Sequence, residues 1–178
     1  MLGEKIRSKR IERGYSLKEL SEKVDLTASF LSQVERDLAE PSITSLRKVS
    51  EALEVPIFSF LIDDDVIKPV VRLNERKKLN MPDSGISYEL LTTDLNRMME
   101  LFVAKIPAHF SAPEQFSTHA GEEFNLILSG SMRIIVGEDE YELEEGDSIY
   151  YFATIPHKVI NIGDTELAFL SAITPPRF

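Results

Sequence analysis

The chain has 178 residues, 43% of them apolar and 28% charged, a composition typical of a folded globular protein with room for one large domain or two small ones. It contains no cysteine, which excludes disulfides and thiolate metal sites. No apolar run approaches the roughly 20 residues needed to span a bilayer, and the N-terminus lacks a signal-peptide core; the expected place is the cytoplasm, with no membrane partner. The net charge of −10 is unevenly spread, since residues 1–60 hold ten basic and ten acidic side chains and residues 61–178 hold ten and twenty. The acidic excess therefore lies outside the N-terminal third and leaves that third free to face phosphate.

Ile6, Arg7, Arg10, Ile11 and Arg13 predict an amphipathic helix ended by Gly14. Ser16, followed three places on by Glu19, has the form of a capping box and starts a second helix with Leu17, Leu20 and Val24 along its apolar stripe. Asp25 is a poor helix former and Thr27 a good N-cap, so a third helix begins there and buries Leu31 and Val34. Ala28, Ser29, Ser32, Gln33 and Arg36 are left on its outer face. Small and amide-bearing side chains bordered by Arg fit a DNA major groove, where Gln can bond adenine in two places. Pro41 and Ser42 open a fourth helix with Ile43, Leu46, Val49 and Leu53 inside, and a short turn from Pro56 to Leu61 closes the unit.

This order of five short helices, with the string FLSQVERDLAEPSITSLRKVSEAL, resembles the helix-turn-helix domain of the lambdoid phage repressor and Cro type (the XRE family). The resemblance implies a reading helix at about 28–35, with Thr27, Ala28, Ser29, Ser32 and Gln33 at base- and backbone-contacting positions and Arg36 near phosphate. It also implies a structural pair, Arg10 with Glu35, tying helix 1 to helix 3. Leu17 and Ala28 stand where many members carry polar side chains, which shifts weight to shape readout and phosphate contacts.

Residues 62–82 read as a charged linker with a strand at Val70–Leu73. From residue 86 on, eight short apolar runs separated by turn residues predict a sandwich or barrel. They are ISYELLT, MELFVAKI, EFNLILSG, MRIIVG, YELEEG, SIYYF, KVINI and ELAFLSAI. The acidic hairpin Glu138–Glu145 reads as a solvated edge.

The segments THAGEEFNLILSG and GDSIYYFATIPHKVIN resemble the two cupin motifs. That resemblance implies an all-β jelly-roll (double-stranded β-helix) barrel over 83–178, so that the chain is an α+β two-domain protein with its helical domain at 1–61. His119, Glu123 and His157 match three of the family's four metal-ligand positions, with Ser117 at the fourth and Thr154 in place of a customary Gly. Two His and one carboxylate suit a divalent ion such as Fe, Zn, Mn or Ni. His109, in a loop, is expected to be exposed. Gln115, Phe116, His119, Glu123, Arg133, Tyr150, Tyr151 and His157 are the candidate effector-pocket residues, with one of the two tyrosines facing the lumen.

Together these features point to a transcriptional regulator that binds a double-stranded operator as a homodimer and takes a small-molecule effector in the barrel. One reading helix contacts few bases, whereas two spaced by about 34 Å match one turn of DNA. The rival expectation is a mononuclear non-haem iron enzyme, similar in layout to the epoxidase of hydroxypropylphosphonate.

Overall fold

The computed structural model describes residues 1–61, 69–81, 84–92, 98–110 and 116–176. Two compact units emerge, a helical one over Met1–Val66 and a sheet-rich one over Ile67–Arg177.

The helical unit comprises α1 (Leu2–Glu12), α2 (Leu17–Val24), α3 (Ala28–Glu35), α4 (Ile43–Leu53) and α5 (Phe58–Leu61). Local chemistry sets the boundaries. The Ser16 hydroxyl accepts from the Glu19 amide at 3.1 Å while the Glu19 carboxylate accepts from the Ser16 amide at 2.7 Å, so the capping box is complete. Thr27 caps α3 by accepting from the Phe30 amide at 3.1 Å, and Ser42 does the same for α4 through the Ser45 amide. Between α2 and α3 the chain reverses at Asp25, which adopts a left-handed conformation (φ 53°) that Asp tolerates better than most residues.

Leu20, Leu31, Leu46, Leu53 and Phe58 are fully buried and form the core; each contributes roughly 1.5–3 kcal/mol by leaving water. Helix α1 departs from the expected amphipathic pattern. Ile6 is buried, but Ile11 is exposed; Gly3 and Ile6 are the buried residues of α1, and Arg10 rather than Ile11 reaches α3 in its second half. At Gly3 the helix comes so close to the end of α3 that an added Cβ would collide with the Val34 carbonyl oxygen and lie 2.8 Å from that of Glu35. Gly3 is required there for close approach.

In the second unit the strands are β1 (Lys78–Asn80), β2 (Ser87–Leu90), β3 (Glu100–Ile106), β4 (Glu122–Ser129), β5 (Met132–Val136), β6 (Asp139–Leu143), β7 (Ser148–Phe152), β8 (His157–Asn161) and β9 (Leu167–Thr174). They pair antiparallel into a six-stranded sheet, β1-β2-β3-β9-β4-β7, and a three-stranded sheet, β6-β5-β8. The eight expected strands are β2 to β9. The strand expected at Val70–Leu73 is absent: Val70 and Leu73 are both exposed, with no face to bury, and Leu73–Glu75 form a 3-10 turn. A strand, β1, lies instead at Lys78–Asn80, inside the stretch expected to be linker, where it pairs with β2 around buried Leu79.

Alternation along β4 and β9 places Glu123, Asn125, Ile127, Phe169, Ser171 and Ile173 on the buried side. A register shift between Ile127 and Ser129 ends this pattern just before the turn at Gly130.

Candidate functional site

On the helical unit, Thr27, Ser29, Gln33 and Arg36 are exposed and Ala28 and Ser32 half-buried. Ser29 and Gln33 lie four residues apart and so share one face of α3, their side chains free for a groove. Thr27 already uses its hydroxyl as the cap, and the Arg36 Nε donates to the Ser32 carbonyl at 3.0 Å, leaving the rest of the guanidinium outward. Behind this face, Arg10 donates to both carboxylate oxygens of Glu35, at 2.6 and 2.8 Å, and to the Tyr15 carbonyl at 2.7 Å. The expected tie between helices 1 and 3 is therefore present as a bidentate pair. It fixes the end of α3 and keeps the Glu35 carboxylate buried behind the Ser29–Gln33 face.

Inside the barrel, His119, Glu123 and His157 converge, with one ligand atom from each lying within 4.8 Å of the others. The Glu123 Oε2 is 3.3 Å from His119 Nε2 and 3.6 Å from His157 Nε2. Ligands at about 2.0–2.2 Å on one ion stand roughly 3–3.5 Å apart, and the two Glu–His spacings lie at or just beyond that range. Each imidazole donates its Nδ1 proton to a backbone carbonyl, of Ala120 at 3.2 Å and of Ile155 at 2.9 Å. With Nδ1 so engaged, each Nε2 faces Glu123: in the charged imidazoles it carries a proton toward the carboxylate, and an ion would take the place of those protons on the Nε2 lone pairs.

The backbone holds the two His segments together. Ser117 and His157 exchange amide–carbonyl bonds of 2.8 and 2.9 Å, and the His119 amide donates to the Ala153 carbonyl at 2.9 Å. His109 is exposed, 3.3 Å from Asp164 at the surface.

A second layer supports the carboxylate. Asn125 Nδ2 donates to Glu123 Oε1 at 3.0 Å and to the Tyr151 hydroxyl at 3.3 Å, and the Ser171 hydroxyl donates to the same Oε1 at 3.3 Å. Burial alone would push the Glu123 carboxyl up, but the hydrogen bonds of His119 and Asn125 and the charge of the two imidazoles outweigh it and hold the group below its ordinary range. Burial, then the neighbouring Glu123 charge, push the Tyr151 hydroxyl up, so it stays protonated. Tyr151 also stacks obliquely on His157, with centroids 5.1 Å apart.

Of the remaining pocket candidates, Tyr151 is the inward tyrosine. Tyr150 is exposed and donates to Glu122. Arg133 faces away from the chamber because Met132 and Ile134 take the buried side of β5, and it pairs with Glu140 at 2.9 Å and Glu142 at 2.6 Å. The acidic hairpin is thus partly neutralised by a cross-strand cation. Phe116 is exposed, and Gln115 lies outside the described residues. Asn125 and Ser171 did not emerge from the sequence. Asn125 is two residues beyond Glu123 and so on its face, whereas Ser171 reaches the site only through the β4–β9 register.

The helix-turn-helix family model matches residues 6–60 and the cupin domain model residues 102–173. The HTH-type transcriptional regulator PuuR of Escherichia coli is 25% identical over 99% of this chain and 96% of its own length. The HTH-type transcriptional regulator SinR of Bacillus subtilis is 47% identical over 62 residues, 34% of this chain and 56% of its own. Among solved structures, an HTH_3 family transcriptional regulator from Vibrio cholerae superposes with a TM-score of 0.67 at 23% identity, covering 99% of this chain and 96% of that one. Iron(II) HppE gives 0.52 at 21% identity, covering 97% of both chains, a likeness of fold. No helix among the described residues is long and apolar enough to cross a membrane. Residues 6–60 are a helix-turn-helix domain and residues 102–173 a cupin domain, which makes the chain a two-domain protein built on the plan of the HTH-type transcriptional regulators.

Proposed function

We propose that this transcriptional regulator binds an inverted-repeat DNA site as a homodimer and that its cupin chamber holds a small-molecule effector. The observation that carries the DNA half is the exposed Ser29–Gln33 face of a capped α3, locked from behind by Arg10 and Glu35. Ser29 and Gln33 read bases, Thr27 and Ala28 sit against the backbone, Ser32 borders the groove and Arg36 meets phosphate. Support for the chamber comes from buried polar groups on the lumen side of β4 and β9, which a purely structural barrel would fill with apolar side chains.

His119, Glu123 and His157 would hold a divalent ion, which supplies open coordination positions to an oxygen- or nitrogen-bearing effector. Asn125 and Ser171 orient the carboxylate for it. An effector changes DNA affinity only by binding the DNA-competent arrangement with a different affinity from the incompetent one. The iron-enzyme reading rests on the same triad, and the relatives named as regulators weigh against it.

The test is recovery and sequencing of genomic fragments bound by the purified chain at physiological salt. Enrichment of sites sharing an inverted repeat is the expected result. Gln33→Ala should weaken binding to such a site by about 1–3 kcal/mol per lost bidentate base contact. Recovery no better than random, with and without added divalent metal, would overturn the reading.

A further inference from the structure

The outer side of the six-stranded sheet, opposite the chamber, carries a concavity of about 900 Å³. At one end three cations surround a single carboxylate. The Glu89 carboxylate accepts from Arg76 at 3.2 Å, from Lys78 at 3.2 Å and from Lys105 at 3.1 Å. Glu89 is buried, and the cluster keeps two net positive charges within residues 61–178, whose overall balance is −10.

One carboxylate cannot satisfy three cations. The Arg76 Nε is buried without any hydrogen-bond partner, while its Nη1 goes to Glu89. The excess positive charge is open to the concavity through Lys78 and Lys105, whose side chains are 58% and 35% exposed, and it asks for an oxyanion. Apart from Asn74, the rest of the concavity is apolar, with Val103, Leu128, Leu170 and Leu91 on its walls and Leu73 of the 3-10 turn beside it. Leu73 is 70% and Leu128 41% exposed, so the apolar end is also left uncovered in the chain alone.

From this pairing of a cationic end with an apolar trough, we propose that the concavity is a second small-molecule site, separate from the chamber, for an amphiphile with an anionic head and an unbranched apolar tail. The head sits between Arg76, Lys78 and Lys105, and the tail lies along Val103, Leu128 and Leu170. Attraction to the head is local, so it acts despite the acidity of the surrounding unit.

Isothermal titration of the full chain with decanoate, below its micellar range, tests the site, with decanol as the uncharged control. The expected result is saturable binding of one decanoate per chain, at least tenfold weaker for decanol. Lys105→Met should weaken decanoate at least tenfold and leave Glu89 two cations to keep the sheet folded. Leu128→Asn, at an exposed wall, should weaken it without touching the charges. His119→Ala should leave it unchanged. No saturable binding, equal binding by Lys105→Met, or loss of binding in His119→Ala would each overturn the proposal. So would a dimer that Leu128→Asn dissociates, because a second copy would then fill the trough.

Discussion

Arg10→Met should destabilise the helical unit by about 3–5 kcal/mol, far more than loss of a surface ion pair would. The magnitude follows from burial: the Arg10 and Glu35 side chains are only 11% and 5% exposed, and both carboxylate oxygens are engaged by the guanidinium. An exposed pair contributes about 0–1 kcal/mol. Here, removing the cation strands a carboxylate in a site water does not reach, and the Tyr15 carbonyl loses its donor as well. Against a total stability of roughly 5–15 kcal/mol, such a loss is large.

Urea unfolding of the full chain, followed by far-UV circular dichroism to report the helices, measures it. The double variant Arg10→Met/Glu35→Leu should recover much of the loss, because it strands no charge. A single-variant loss under about 1 kcal/mol would refute the reasoning. So would a double variant no more stable than Arg10→Met.

Gly3→Ala tests the close approach of α1 to α3. In an open helix the change would stabilise by about 0.5–1 kcal/mol, whereas here overpacking against the Val34 and Glu35 carbonyls should destabilise by about 1–3 kcal/mol, and a rise in melting temperature would contradict the contact. Glu89 gives an acid dependence. Burial alone would raise its carboxyl, but Lys105, Arg76 and Lys78 hold it at about 2, against 4.5 ordinarily. Its contribution is complete above pH 4.5 and is lost as pH falls through 2, so the melting-temperature gap between wild type and Glu89→Gln should shrink across that window and be flat above it. In the chamber, dialysed wild type should retain a divalent ion and Glu123→Ala should not. Ser171→Ala should weaken retention about 10–100-fold, as loss of an orienting hydrogen bond does; equal metal content in all three would remove the site.

The helix-turn-helix was legible because its signals are local. Ser16 with Glu19 and Thr27 with Phe30 are contacts across three residues, and they mark the helix ends wherever the rest of the chain goes. The strands from Ser87 onward were legible by alternation and turns. The three-residue β1 was not, since only Leu79 is buried and the strand exists through pairing with β2.

Parity limits what can be read of the chamber. The sequence requires Tyr150 and Tyr151 to point oppositely, but the β4–β7 register decides which one joins Glu123. Arg133 looked like a pocket cation in isolation, and its direct partner across the ladder, Glu142, claims it outside. Ser171, about fifty residues from Glu123 in sequence, enters the site by a pairing that no local pattern contains.

Strand β4 presents Glu123 and Asn125 inward, alternating with Phe124, Leu126 and Leu128 on the other side. Consecutive peptide units thus serve two surfaces that never see each other's contents. A change at Glu123 or Asn125 is therefore felt in the chamber, and one at Phe124, Leu126 or Leu128 on the outer face. One strand can be rewritten for either surface while the side chains of the other stay as they are.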